Sequence, residues 1–82
     1  MSNENEYGRR VYRKLLYFSE QGIAVHFTII ETGVFYNGII LDLNEDKKTL
    51  VLKEFKFGDM PFLLEDINED SIVAFTTKEM GK

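Results

Sequence analysis

The stretch "GVFYNGIILDLNED", residues 33–46, is an apolar, strand-like run with Gly38 near its middle and acidic turn residues at its end. A glycine inside a strand weakens it, so its presence needs a backbone reason: a sharp bend or the close approach of another chain segment. Tyr36 and Ile40 share the Gly38 side of the strand. The reading that follows is a strand kinked at Gly38 and serving both halves of a small barrel. A simple bulge in a flat sheet is the alternative.

Upstream, Ile23, Val25, Phe27 and Ile29 alternate with Ala24, His26 and Thr28, the period of a half-buried strand. Before that the period is helical. Tyr7, Val11, Leu15 and Phe18 form one face of an amphipathic helix over about residues 5–20, with Arg9, Arg10, Arg13 and Lys14 largely off that face. Ser2 or Asn3 is placed to cap it, Glu4 and Glu6 suit the positive end of its dipole, and Gly22 stops it.

Downstream, "NEDKK" (44–48) reads as a turn and "TLVLKEFKF" (49–57) as a third strand, with Leu50, Leu52, Glu54 and Lys56 on one face. "GDMP" (58–61) reads as a turn, "FLLEDI" (62–67) as a fourth strand, "NEDS" (68–71) as a tight polar turn and "IVAFT" (72–76) as a fifth strand. The expected fold is mainly β: an N-terminal helix, then a five-stranded, strongly bent antiparallel small barrel over about residues 23–76, with a frayed tail at 77–82. Residues 1–82 form one domain, without linker, repeat or low-complexity segment.

The composition narrows the function classes. The chain has 82 residues, 44% of them hydrophobic, an ordinary globular proportion at a size where stability margins are thin. It contains no cysteine, which removes disulfides, thiolate metal sites and a thiol nucleophile. No apolar run approaches the ~20 residues needed to cross a bilayer. The start, "MSNENEYGRR", lacks the apolar core of a signal peptide, so a soluble cytoplasmic protein is the expectation. The net charge is −4, unevenly spread: four cations and three acids lie in residues 1–22, six lysines and eleven acids in residues 23–82. An acidic body argues against a general nucleic-acid coat but leaves room for a local basic patch.

The run "VHFTIIETGVFYNGIIL" (25–41) resembles the first motif of Sm-like (Sm/LSm) proteins, carried by Gly33, Tyr36, Gly38 and Ile40. The acidic turn, "LVL" (50–52) and a helix ahead of five strands follow the same order. The resemblance extends from about Tyr7 to Thr76. It implies a small Sm-like or SH3-like barrel whose fourth strand pairs with the fifth strand of the next subunit in a homo-oligomeric ring. Phe62, Leu64, Ile72, Val73 and Phe75 would form that interface.

Two motif positions depart from the family. Where its RNA pocket has Asp-x-x-Met-Asn, this chain has Lys48 and Thr49 at the Met-Asn place; where it has Arg-Gly, this chain has Asn68 and Glu69. Asn-Glu in place of Arg-Gly removes a cation and adds an acid, which opposes RNA. The cations left to bind single-stranded RNA are Arg9, Arg10, Arg13, Lys14 and Lys48. They equally suit salt bridges to a neighbouring subunit, or a solvated face.

No catalytic constellation is visible. His26 is the only histidine, and it has no cysteine or second histidine to share a metal with. The acid pairs Glu45/Asp46, Glu65/Asp66 and Glu69/Asp70 fall in or beside turns and lack calcium-loop spacing. Ser2, Ser19 and Ser71 sit in no nucleophile elbow, and the glycines form no phosphate loop. No enzyme, cofactor or metal is expected. Phe55, Phe57, Met60 and Phe62 lie close in sequence, and any of them left outside the core would suit a protein partner. Two functions follow: an Sm-like ring that binds RNA through its helix, or a protein-assembly module without nucleic acid.

Overall fold

The structure is a computed structural model that describes residues 3–75, with side chains described from residue 6 on. The described residues form one helix and one five-stranded antiparallel sheet. The elements are α1 (Asn3–Gln21), β1 (Val25–Thr28), β2 (Phe35–Asn44), β3 (Thr49–Glu54), β4 (Gly58–Leu63) and β5 (Val73–Ala74), with 3-10 turns at Leu64–Asp66 and Glu69–Ser71 between the last two strands. The sheet order is β4-β3-β2-β1-β5. The tail expected to fray, 77–82, and the cap residue Ser2 lie outside the described residues, as do the side chains of Asn3 and Glu4.

The helix forms where the four-and-three spacing placed it. Val11 and Leu15 are fully buried, and Tyr7, Tyr12 and Phe18 pack against the core. It stops at Gly22, whose φ is +68°. There the Ile23 N–H reaches back to the Phe18 carbonyl and the Gly22 N–H to the Ser19 carbonyl, the Schellman arrangement. The core beneath is Val25, Phe27, Ile40, Leu50, Leu52, Leu64, Ile67 and Ile72. Alternation along β1 and β3 thus sorts residues inward and outward as their period requires.

Gly38 is set by close approach. It lies opposite Val25 on one side and Glu54 on the other. A Cβ there would stand 2.2 Å from the Lys53 carbonyl oxygen and 2.9 Å from the Glu54 Cα. No side chain fits against backbone at that distance. The irregularity in the β2–β3 register falls at Leu41, between Ile40 and Asp42, three residues past the glycine.

Three expectations are corrected. First, the sheet is open and does not close into a barrel. The outer side of β1 is shared between partners: β5 covers only Val25 and His26, while the linking segment covers the rest. There the Asn68 N–H reaches the Thr28 carbonyl, the Ile30 N–H reaches the Asp66 carbonyl, and the Ser71 hydroxyl accepts the Thr28 N–H at 2.8 Å. That same hydroxyl donates to the Asn68 carbonyl at 2.7 Å. With β1 covered in this way, the outer edge of β4 meets no strand among the described residues.

Second, the turn between β3 and β4 is Phe55–Phe57, and "GDMP" belongs to β4. Third, "LEDI" is mostly a 3-10 turn, and the fifth strand is two residues long.

Candidate functional site

The helix cations are placed by the linking segment. Glu69 receives both Arg10, Nε to Oε1 at 3.2 Å, and Lys14, Nζ to Oε2 at 3.7 Å. Arg10 also lies over the Tyr7 ring, 5.5 Å from its centre. The Tyr7 hydroxyl donates to the Ile67 carbonyl at 2.6 Å and accepts the Glu69 N–H at 2.9 Å. The acid standing where the family motif places glycine after arginine is therefore a counter-ion for this chain's own helix. Arg9 and Arg13 are exposed and form no salt bridge among the described residues.

Lys48 closes the turn between β2 and β3 with a φ of 57°. Its stem lies so near Gly8 that a Cβ there would sit 3.2 Å from the lysine Cδ. Its ammonium donates to the Glu45 carbonyl at 3.0 Å. The turn is also held by the Lys47 N–H on the Asn44 side-chain oxygen, at 2.8 Å. Of the five expected RNA cations, Arg10 and Lys14 are thus brought together on Glu69. Lys48 is brought against the first half of the helix, and Arg9 and Arg13 face solvent.

The expected interface residues divide. Leu64 and Ile72 are buried within the chain, and Phe62 packs on Phe27 and Tyr36, with ring centres 5.2 and 5.0 Å away. Val73 is exposed, and Phe75 rests on Phe55 at 5.6 Å. The two sheet edges are β4 and β5. The Leu64 N–H bond to the Lys48 carbonyl, at 2.9 Å, sets the phase of β4. Gly58, Met60 and Phe62 turn their backbone groups toward β3, while Asp59, Pro61 and Leu63 turn theirs outward. Pro61 therefore leaves the middle of that open edge without a donor.

Glu54 is the buried ionisable group of the described residues, 6% exposed. Its Oε2 accepts the Asn37 N–H at 3.1 Å, and its Oε1 accepts the N–H groups of Lys56 at 2.7 Å and Phe57 at 2.9 Å. Burial pushes this carboxyl up. The three backbone N–H bonds and the nearby Lys56 charge outweigh burial and hold it below the ordinary glutamate range. This carboxylate makes the turn. It takes the Asn37 N–H that the strand ladder would otherwise have used, and it folds residues 55–57 around itself.

One assembly of side chains was missed from sequence. On the outward side of the sheet, His26 and Phe35 lie with ring centres 5.5 Å apart, and Phe55 and Phe75 form a second pair. Asn37 joins them: its side-chain oxygen accepts from His26 Nδ1–H at 2.7 Å, and its carbonyl accepts the Phe55 N–H at 2.9 Å. Phe35 is 60% exposed and Phe57 65%. The signal was present in the sequence, because His26 and Phe35 fall on the polar sides of their strands. Phe55 and Phe57, named from sequence as candidates for an exposed patch, do lie outside the core; their continuation through Asn37 to His26 and Phe35 depends on strand pairing and was not read.

A groove of about 570 Å³ runs along β3 and β4 between Leu50, Phe62, Ile29 and Asp66. No three His, Asp or Glu side chains among the described residues are placed to hold a metal ion. No helix among them is long and apolar enough to cross a membrane. No family model, curated protein or solved structure matches the chain.

Proposed function

We propose that the chain is a non-catalytic, Sm-like binding protein that self-associates and takes up single-stranded RNA. The supporting observation is the seating of Lys48 against Gly8. It puts the turn between β2 and β3, where the resembled family holds RNA, beside the half of the helix that carries Arg9. Self-association draws support from the two open sheet edges, β4 and β5.

A second reading, a protein-assembly module without nucleic acid, is favoured by Glu69. That one carboxylate occupies two of the four helix cations, Arg10 and Lys14. Fluorescence anisotropy with labelled oligouridine separates the two. The RNA reading expects binding at low ionic strength that weakens linearly in log salt, and further weakening in Arg9→Glu/Arg13→Glu. Absence of binding at low salt overturns it and leaves the assembly module.

A further inference from the structure

We infer that the outward aromatic face around the β3–β4 turn is a stacking platform for unpaired bases, an inference that rests on the RNA reading above. The argument begins with "KEFKF", residues 53–57. By composition this is two cations, one acid and two aromatics. The fold removes the acid: Glu54 is turned inward and satisfied by three backbone N–H groups. What remains on the surface is Lys53, Phe55, Lys56 and Phe57, all exposed. Asp59 stands opposite Lys53 in the β3–β4 register, without a salt bridge between them among the described residues.

The sheet extends the platform. Phe55 meets Phe75, and through Asn37 the surface continues to His26 and Phe35. Strand backbone and the Glu54 carboxylate fix where these side chains leave the sheet, and the His26–Phe35 and Phe55–Phe75 contacts set those rings against one another. Exposed rings bordered by lysines match a single strand, whose bases offer π-faces and whose phosphates offer charge. A duplex hides its base faces and offers only the charge. The molecule as a whole is acidic, at −4, so long-range attraction does not gather a polyanion onto it. Contact therefore depends on short-range stacking, with the two lysines contributing a shallow salt dependence. This surface is separate in sequence from the helix cations and from the turn that carries Lys48.

The test is anisotropy with a labelled oligouridine of about ten nucleotides, with oligothymidine and a duplex of the same length alongside. Phe57 has no ring contact among the described residues, so it can be changed without unpacking the sheet. Phe57→Ala and Phe57→Leu are each expected to weaken binding about tenfold, while Phe57→Tyr retains it. Lys53→Gln/Lys56→Gln is expected to reduce the slope of log affinity against log salt by about 1.4, roughly 0.7 per phosphate contact. Both single strands should bind and the duplex should not.

Single-strand binding that is unchanged in Phe57→Ala and in the double lysine variant overturns the platform and leaves the RNA reading standing. Equal affinity of Phe57→Leu and wild type also overturns it, because it replaces stacking with plain apolar contact. No binding of the wild type to any oligonucleotide sinks both readings.

Discussion

The Glu54 carboxylate accepts the backbone N–H of Asn37, 17 residues earlier in the chain, at 3.1 Å, and so ends the β2–β3 ladder where it would otherwise continue. Its folded pKa is lowered, so the stability it supplies is complete above the unfolded-state value of about 4.3 and is lost as pH falls through the lower folded value. Urea midpoints measured from pH 6 to pH 3 should fall for the wild type and fall less for Glu54→Gln. At neutral pH Glu54→Gln should be the less stable by about 1–3 kcal/mol, because its amide cannot accept all three donors. Parallel pH profiles for the two proteins would contradict this.

Gly38→Ala places a methyl 2.2 Å from the Lys53 carbonyl oxygen, in a position where only backbone can move aside. Overpacking of this kind costs about 1–3 kcal/mol, and a domain of this size has little to spare. Thermal unfolding followed by circular dichroism should show a large drop in Tm or no folded baseline. A Tm within a few degrees of the wild type would mean that β2 and β3 lie further apart.

Tyr7→Phe removes one hydroxyl and disturbs two bonds, the one it donates to the Ile67 carbonyl and the one it accepts from the Glu69 N–H. A loss of about 1–2 kcal/mol in urea unfolding is expected, with the ring's packing retained. An unchanged midpoint would show that water replaces the hydroxyl without cost.

Glu69→Gln releases Arg10 and Lys14 from their shared carboxylate while leaving the Glu69 backbone N–H in place. Exposed ion pairs are worth about 0–1 kcal/mol, so stability should barely change. Affinity for oligouridine at low salt should rise, since two cations are freed on the helix. Unchanged affinity would place the helix outside the RNA contact.

Pro61→Ala restores an outward N–H in the middle of the β4 edge. The monomer should tolerate it, and sedimentation over a concentration series should show stronger self-association. Identical sedimentation would mean that assembly does not pass through β4.

The helix and the first three strands were legible because burial there follows one period at a time: three and four from Tyr7 to Phe18, two from Val25 and again from Leu50. The close backbone approach at Gly38 was legible too, because a glycine announces that demand; the kinked strand serving both halves of a barrel was not found, since the sheet stays open. The parity of β3 even placed Glu54 inward, beside Leu50 and Leu52. The turn after it was not legible. Gly58 and Pro61 carry the composition of a turn but lie in β4, where the proline faces an open edge. The actual turn, Phe55–Phe57, carries two phenylalanines, which favour strands, and neither glycine nor proline. It is imposed by a buried carboxylate, and no local pattern records that. The closed barrel was expected for a similar reason: strand-like composition in "FLLEDI" does not reveal that Leu64–Asp66 curls into a 3-10 turn. The helix cations read as a free patch because their counter-ion lies 59 residues away, on Glu69.

The distance between Tyr7 and Ile67, 60 residues along the chain, has a consequence for biosynthesis. A ribosome delivers the helix well before the groups that receive Tyr7, Arg10 and Lys14. The hairpins of β2, β3 and β4 are free to form, and the helix to settle on β2, before those bonds close. During that interval the helix has only β2 and the Lys48 turn to rest on, and its tie to Ile67 and Glu69 closes once those residues have cleared the exit tunnel.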